Sequence, residues 1–224
     1  MRFSRAKGSQ PVRLLQNEAN QVLVEWYNGE VPIEIYIAFL LGNVILYDGP
    51  IGALLSNKLN LALLSENENS EIFSLEEREI IKKYIPWTRR IVPGETTYGT
   101  KTIDLEDFIY SNQVKLAIKP VREMGGKDVS IGKLTPADRW KQVVEQAMQD
   151  SQRNWIVQEY VESAPFVFQY GENGCTEHDV IWGLLAFGTE YAGGYLRLLP
   201  KSNSKGVVNC AQGAEITTIF EVDE

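Results

Sequence analysis

The sequence predicts an α+β protein of two small lobes with largely antiparallel sheets. The stretch from Val114 to Gly132 reads as an apolar strand, a Lys119-Pro120 exit, a loop holding Gly125-Gly126, and a second apolar strand. Short apolar runs bounded by Gly and Pro are the mark of buried strands. Helical segments with caps or apolar stripes flank this stretch on both sides. Beyond residue 154 the chain is strand-rich, its runs separated by glycines at 171, 174, 188, 193, 194, 206 and 213. Mixed helices and strands with an antiparallel tail define α+β rather than a doubly wound parallel sheet.

Taken in order, residues 1–20 open with the polar, basic MRFSRAKGSQ and are expected to form a loose arm. Val22, Val24 and Trp26 then alternate, Asn28-Gly29 punctuates, and Val31, Ile33, Ile35 and Ile37 resume the alternation. That pattern predicts a hairpin with Asn-Gly at its turn. A short strand over 43–47 should end at Asp48-Gly49-Pro50. Ser56 is placed to cap a helix carrying Leu59, Ala62 and Leu63, with Lys58 in its first turn. Ser74 followed by Glu77 is a capping box; Ile80, Ile81 and Tyr84 give that helix its apolar stripe, and Pro86 ends it. Asp104 can cap a short helix with Leu105, Phe108 and Ile109. Thr135-Pro136 opens a helix with Pro at its first position, and Trp140, Val143, Val144, Ala147 and Met148 fall on one helical stripe. Strands are expected near 154–161, 165–169, 178–187, 193–199, 206–209 and 215–220. The chain thus reads as an arm (1–20), an N-terminal α+β part (21–112) and a second part (113–224).

Composition narrows the function. The 224 residues are enough for a sizeable core, and 44% apolar with 23% charged residues is ordinary for a water-facing protein. Twenty-two Lys and Arg against 30 Asp and Glu leave a net charge of −8. An acidic chain lacks the electrostatic footprint of a nucleic-acid binder, so no nucleic-acid partner is expected. A local cluster of cations can still hold a small anion. Two cysteines, Cys175 and Cys210, make no disulfide scaffold, and a sole histidine, His178, argues against a His-rich metal site. The longest apolar segment, near 33–46, is too short and polar to span a bilayer, and no apolar stretch follows the basic N-terminus. No membrane partner and a cytoplasmic location are the expectations.

The chemistry suggested by the residues themselves is anion binding. A Lys at the end of a buried strand can set one ammonium over a phosphate, and glycines let backbone N–H groups approach the other oxygens. The same residues also fit an ordinary Gly-Gly turn between two strands. After one further helix comes Trp155-Ile156-Val157-Gln158-Glu159-Tyr160-Val161. That order resembles the ATP-grasp fold. It is similar to the circularly permuted branch that includes glutathionylspermidine-synthase-like enzymes. The segments that carry the likeness are Ile35-Tyr36, Gly49-Pro50-Ile51-Gly52 with Lys58 and Ala62-Leu63-Leu64, and Ile85-Pro86-Trp87-Thr88. Lys119-Pro120 with Gly125-Gly126, Val157-Gln158-Glu159, Arg197-Leu198, Val207-Val208-Asn209 and Gln212-Gly213 complete it, over residues 30 to 220.

The resemblance implies an ATP-grasp-like fold with 113–224 as nucleotide-binding core. It implies an ATP-dependent carboxylate–amine (or thiol) ligase acting through an acyl phosphate, or the ATP-binding part of one, with ATP and Mg²⁺ as cofactors. Small-molecule carboxylate and amine substrates would be its ligands. Lys58 and Lys119 would neutralise phosphate, Gly125 and Gly126 close over it, and Gln158, Glu159, Tyr160 and Val161 line the nucleotide pocket. Arg197 and Lys119 would serve the transfer, since that step needs positioning and charge neutralisation. Asn209 and Asp179, with Glu177 as second choice, would bind the metal through oxygen. Val207 stands where the family carries an acid, Glu123 lies beside the glycine loop, and Gln212-Gly213-Ala214 replaces a glycine run. Family members are usually longer, so a partner protein or missing domain is a further expectation. A degenerate, non-catalytic binding or assembly module is the alternative. Each residue also has a structural reading: Glu159 or Asp179 as a solvated acid, Arg197 in a surface pair, Arg89-Arg90 as a solvated double Arg, His178 as structural, and Cys210 as a small buried filler.

Overall fold

Antiparallel ladders join every strand pair of the computed structural model, which describes residues 13–16, 22–25, 33–43, 52–169, 174–204 and 206–220. The chain divides into two units, Met1–Ser56 and Asn57–Glu224. In the first, β1 (Arg13–Gln16) pairs with β2 (Val22–Glu25), so β1 arises within the stretch expected to be a loose arm. Helices α1 (Ile33–Leu40) and α2 (Gly52–Leu55) follow. The strand expected from Ile33, Ile35 and Ile37 is therefore wrong: these residues are helical. The run Ile33–Leu40 is apolar at almost every position, so it satisfies a period of 3.6 as readily as a period of 2, and its eight residues form the longer element. The Asn28-Gly29 turn and residues 44–47 lie outside the described residues.

In the second unit the elements run α3 (Leu59–Glu66), α4 (Leu75–Tyr84), β3 (Thr88–Arg90), β4 (Glu95–Tyr98), β5 (Lys101–Asp104) and α5 (Leu105–Ser111). Then come β6 (Leu116–Pro120), β7 (Ser130–Ile131), α6 (Ala137–Gln149) and β8 (Trp155–Glu159). Last are β9 (Phe166–Gln169), β10 (Cys175–Phe187), β11 (Glu190–Pro200) and β12 (Glu215–Thr218). One four-stranded sheet has the order β3-β8-β6-β7, the other β12-β11-β10-β9, and β4-β5 is a separate hairpin.

The first sheet carries the core because its central strands are apolar on one face and nearly so on the other. Leu116, Ile118 and Val157 pack with Trp140, Val143, Val144 and Ala147 of α6 and with Leu105 and Ile109 of α5, all buried. The period-2 alternation of a strand sends Ala117, Lys119, Ile156 and Gln158 to the opposite face. There Ile156 meets Ala62 of α3, Val121 and Leu59. Two polar side chains, Lys119 and Gln158, are thus carried into a helix-covered face.

The helix signals held with local exceptions. Ser74 and Glu77 form the capping box, and Asp104 Oδ1 accepts from Asp107 N at 3.0 Å. Ser56 does not cap α3; Asn57 Oδ1 takes Leu59 N at 2.9 Å instead. On α4 only Ile81 is buried, while Ile80 and Tyr84 are exposed. Pro136 sits at the cap of α6, one place before the first helical residue. Residues 206–209 are not a strand but an irregular segment leading into a 3₁₀ turn, Cys210–Gln212, where Gly213 takes a left-handed conformation. Trp140→Ala should lower unfolding free energy by ~3–5 kcal/mol, and Ser74→Ala by ~1 kcal/mol; chemical denaturation with both variants checks that α6, not α4, holds the core.

Candidate functional site

Two lysines converge on the helix-covered face of the first sheet. Lys119 is held between buried Ile118 and Pro120 on β6, and its Nζ donates to Gln158 Oε1 at 2.6 Å. Lys58 is fixed just before α3, where its backbone N donates to Val121 O at 3.0 Å and its Nζ donates to the backbone carbonyl of Glu123. Burial pulls the Lys119 value down, and the neighbouring Lys58 charge pulls it further. Burial also lowers Lys58, opposed by Glu123. The Glu123 carboxylate itself pairs with Lys127 at 3.1 Å, which turns its charge along the loop. Among the described residues the ion pairs are Lys127–Glu123, Lys133–Glu162, Lys141–Glu145 and Lys201–Glu177, so neither Lys58 nor Lys119 is in one. Two adjacent ammoniums held by neutral acceptors make a local centre of positive potential.

The glycine loop hangs beside this centre. Gly125 and Gly126 have φ of 68° and 75°, a region that L side chains avoid. A Cβ on Gly126 would lie 2.5 Å from Val207 Cγ1, and one on Gly125 would lie 3.2 Å from Ala211 Cβ and 3.8 Å from Asn209 Oδ1. The loop therefore lies against 207–211. Asn209 Oδ1 accepts from Ala211 N at 2.9 Å, capping the 3₁₀ turn. That leaves its amide oxygen one further acceptor position.

A cleft of about 170 Å³ lies where the second sheet meets the end of β8, lined by Lys133, Tyr160, Val161, Glu162, Asp179 and Lys201 among others. Lys133 pairs with Glu162, and its Nζ stands 4.7 Å from the Tyr160 ring centroid. Burial raises the Tyr160 phenol, opposed by Lys133. Arg197 lies opposite Ile181 in the β10–β11 ladder, so it shares a sheet face with Asp179. Its Nη2 donates to Tyr195 Oη at 2.7 Å, and its guanidinium is 5.3 Å from that ring. Glu177 pairs with Lys201 at 3.7 Å.

The sequence-predicted residues thus form three groups: Lys58, Lys119 and Gln158; Gly125, Gly126 and Asn209; and Tyr160, Val161 and Asp179, with Arg197 on the sheet face of Asp179. Glu159 stands apart from Gln158, since alternation turns it to the other side of β8, where it accepts from Tyr98 Oη at 2.7 Å. That bond is the main cause raising the Tyr98 phenol. No group of three His, Cys, Asp or Glu side chains suited to a metal occurs among the described residues.

Three side chains behave differently from their sequence reading, or were missed by it. Arg89 is not solvated: it is 4% exposed, and its guanidinium donates to Ser65 Oγ, Thr96 Oγ1, Thr97 Oγ1 and the carbonyls of Thr88 and Thr97. Five acceptor atoms on four residues make burial of that cation tolerable, and only the pair Thr96-Thr97 hinted at them. Cys210 is exposed rather than a buried filler, because the 3₁₀ turn lifts it off the core. Thr88, fully buried opposite Gln158, has no role of its own in the sequence reading, where it closes the segment Ile85-Pro86-Trp87-Thr88. His178, read as structural, is buried, its Nδ1 3.0 Å from Thr176 O and its ring edge-on to Phe168. No model of a known protein family matches this chain, and no curated protein matches it.

A lysine whose folded value is lowered binds fewer protons folded than unfolded in the interval below its ordinary 10.5. Stability therefore rises with pH across that interval, because the cost of burying the Lys119 charge, and after it the repulsion from Lys58, is present below the lowered value and relieved as pH rises through it. Lys119→Met should flatten this rise, measured as the difference between thermal midpoints of the two proteins at successive pH values. Gly126→Ala should destabilise by ~1–2 kcal/mol from its left-handed backbone alone, and by more through the contact with Val207; denaturant titration beside Val207→Ala separates the two.

Proposed function

We propose that the Lys58–Lys119 centre and the adjoining cleft bind the polyphosphate and base of ATP, in an ATP-grasp-like arrangement. On this reading the chain is an ATP-dependent carboxylate–amine (or thiol) ligase, or the ATP-binding part of one that works with a further domain or partner. The observation that carries the reading is the pair of half-buried lysines that enter no ion pair among the described residues, beside a loop whose two glycines must be glycine. An anion of several charges offsets the mutual repulsion of the lysines and replaces water at both. Backbone N–H groups of the glycine loop suit the remaining phosphate oxygens.

On this reading Mg²⁺, which prefers carboxylate, amide and water oxygens, would draw on Asn209 and Asp179. Asn209 Oδ1 retains one acceptor position beside the loop, and Asp179 supplies a carboxylate in the cleft. A metal bound there would neutralise phosphate charge. Lys119 and Lys58 would orient the phosphates, and Arg197, two residues along the same sheet face, would hold the transferring group with its planar donors. The 170 Å³ cleft is smaller than the ~300 Å³ at which small-molecule pockets begin. On this reading the cleft widens to admit a base.

A second reading, a degenerate module that binds without turnover, draws on Val207. Where the family places an acid, this side chain packs on Gly126. Calorimetric titration of Mg-ATP should give metal-dependent binding that EDTA removes and that Lys119→Ala weakens by at least ~10-fold, the loss of one charge-assisted contact. Binding that ignores EDTA would favour the degenerate module. No heat with ATP or ADP, from protein shown to be folded, would overturn the nucleotide reading for this chain.

A further inference from the structure

Lys119 is not held by its own strand but by a chain of side chains that begins at the sheet edge. Thr88 on β3 lies directly opposite Gln158 on β8 and is completely buried. Its hydroxyl has one proton, which it donates to Pro86 O at 2.7 Å. Toward Gln158 the hydroxyl therefore has only lone pairs to offer. Gln158 Nε2 donates to it at 2.8 Å. The other end of the same amide, Oε1, then faces Lys119 Nζ at 2.6 Å. The reversed amide would set oxygen against oxygen at Thr88 and NH₂ against ammonium at Lys119, two repulsions in place of two hydrogen bonds. Thr88 is itself fixed: its backbone N donates to Ser65 Oγ at 3.0 Å, and Ser65 Oγ also accepts Arg89 Nη1 at 2.9 Å.

We propose that Thr88 is a positioning residue of this site: by fixing the polarity of the Gln158 amide it keeps the amide oxygen against the Lys119 ammonium. A buried strand position under a helix suits Val, which matches Thr in shape. A hydroxyl there is costly unless it is used. Thr88 uses both functions, the proton toward Pro86 and a lone pair toward Gln158. The hydrogen-bond argument concerns this chain alone; its consequence for ligand binding rests on the reading of Lys119 as a phosphate-contacting lysine.

The test uses the whole chain with isotope-labelled lysine and glutamine side chains, in the absence of ligand, with Lys119 and Gln158 signals identified by their loss in Lys119→Arg and Gln158→Glu. In the unmodified protein the Gln158 amide protons should exchange with water more slowly than those of exposed glutamines. Exchange at the exposed rate would overturn the proposal, even if every Thr88 variant failed to fold. Thr88→Ser should keep the Lys119 titration midpoint, while Thr88→Val should move it down by ~0.5 unit or more, because the ammonium loses an oriented acceptor. Equal midpoints in folded Thr88→Ser and Thr88→Val would overturn it. Calorimetry with Mg-ATP supplies the ligand arm. Thr88→Val should bind ~10-fold more weakly, the scale on which loss of a supporting partner weakens a metal ligand, and Thr88→Ser should bind as the unmodified protein does. Absence of Mg-ATP binding in the unmodified protein would refute the nucleotide reading alone, since the exchange and titration results still decide the role of Thr88.

Discussion

An ammonium on a strand between buried neighbours has to be answered by something, and in this protein the answer is a neutral amide rather than a carboxylate. Lys119 lies between Ile118 and Pro120, with Gln158 as its hydrogen-bonded acceptor and the positive charge of Lys58 nearby. A carboxylate in the place of Gln158 would close a buried ion pair and quench the charge. An amide holds the side chain without neutralising it. The surrounding strands and α3 are arranged so that this uncompensated charge survives folding: the apolar face of the sheet packs on α5 and α6, and the other face is reserved for Ala62, Ile156 and the two polar side chains.

The glycine loop depends on the same arrangement. Its ends are tied to β6 and β7, and its middle rests on Val207 and Ala211. With no Cβ at Gly125 or Gly126, the loop approaches the 207–211 segment more closely than any other residue would allow, and the left-handed backbone there is one that glycine adopts without strain. Glu123, which appeared in the sequence as a charge opposed to an anion, contributes its carbonyl to Lys58 and its carboxylate to Lys127. The acid is thereby drawn along the loop, and its backbone becomes part of the lysine site.

The second sheet adds a different kind of surface. The β10–β11 hairpin places Asp179, Ile181 and Arg197 on one face through its register, and Glu177 and Lys201 bridge at its edge. Tyr160, at the end of β8, completes the cleft under Lys133. Charges of both signs line this cleft, whereas at the Lys58–Lys119 centre two cations stand together and Glu123 is the acid that acts on Lys58.

Local rules were enough for much of this. Ser74 with Glu77, Asp104, and the stripe from Trp140 to Ala147 each encode their helix within a few residues, because capping and a 3.6-residue period act at short range. The strand–Lys-Pro–Gly-Gly–strand order was equally legible, since alternation, proline and glycine constrain the backbone directly. The all-apolar run at Ile33–Leu40 was not, because it fits both periods and only the folded chain chooses between them. Burial of Arg89 depended on acceptors from Ser65 and from Thr96 and Thr97, on two separate segments, and the role of Thr88 on a partner seventy residues away. By itself the sequence determined the helices that carry a cap or a clear apolar stripe, the central strands and the glycine loop. The tertiary structure decided which polar groups those elements set against one another, because hydrogen bonds between distant segments are fixed by register and packing and leave no periodic trace in the chain.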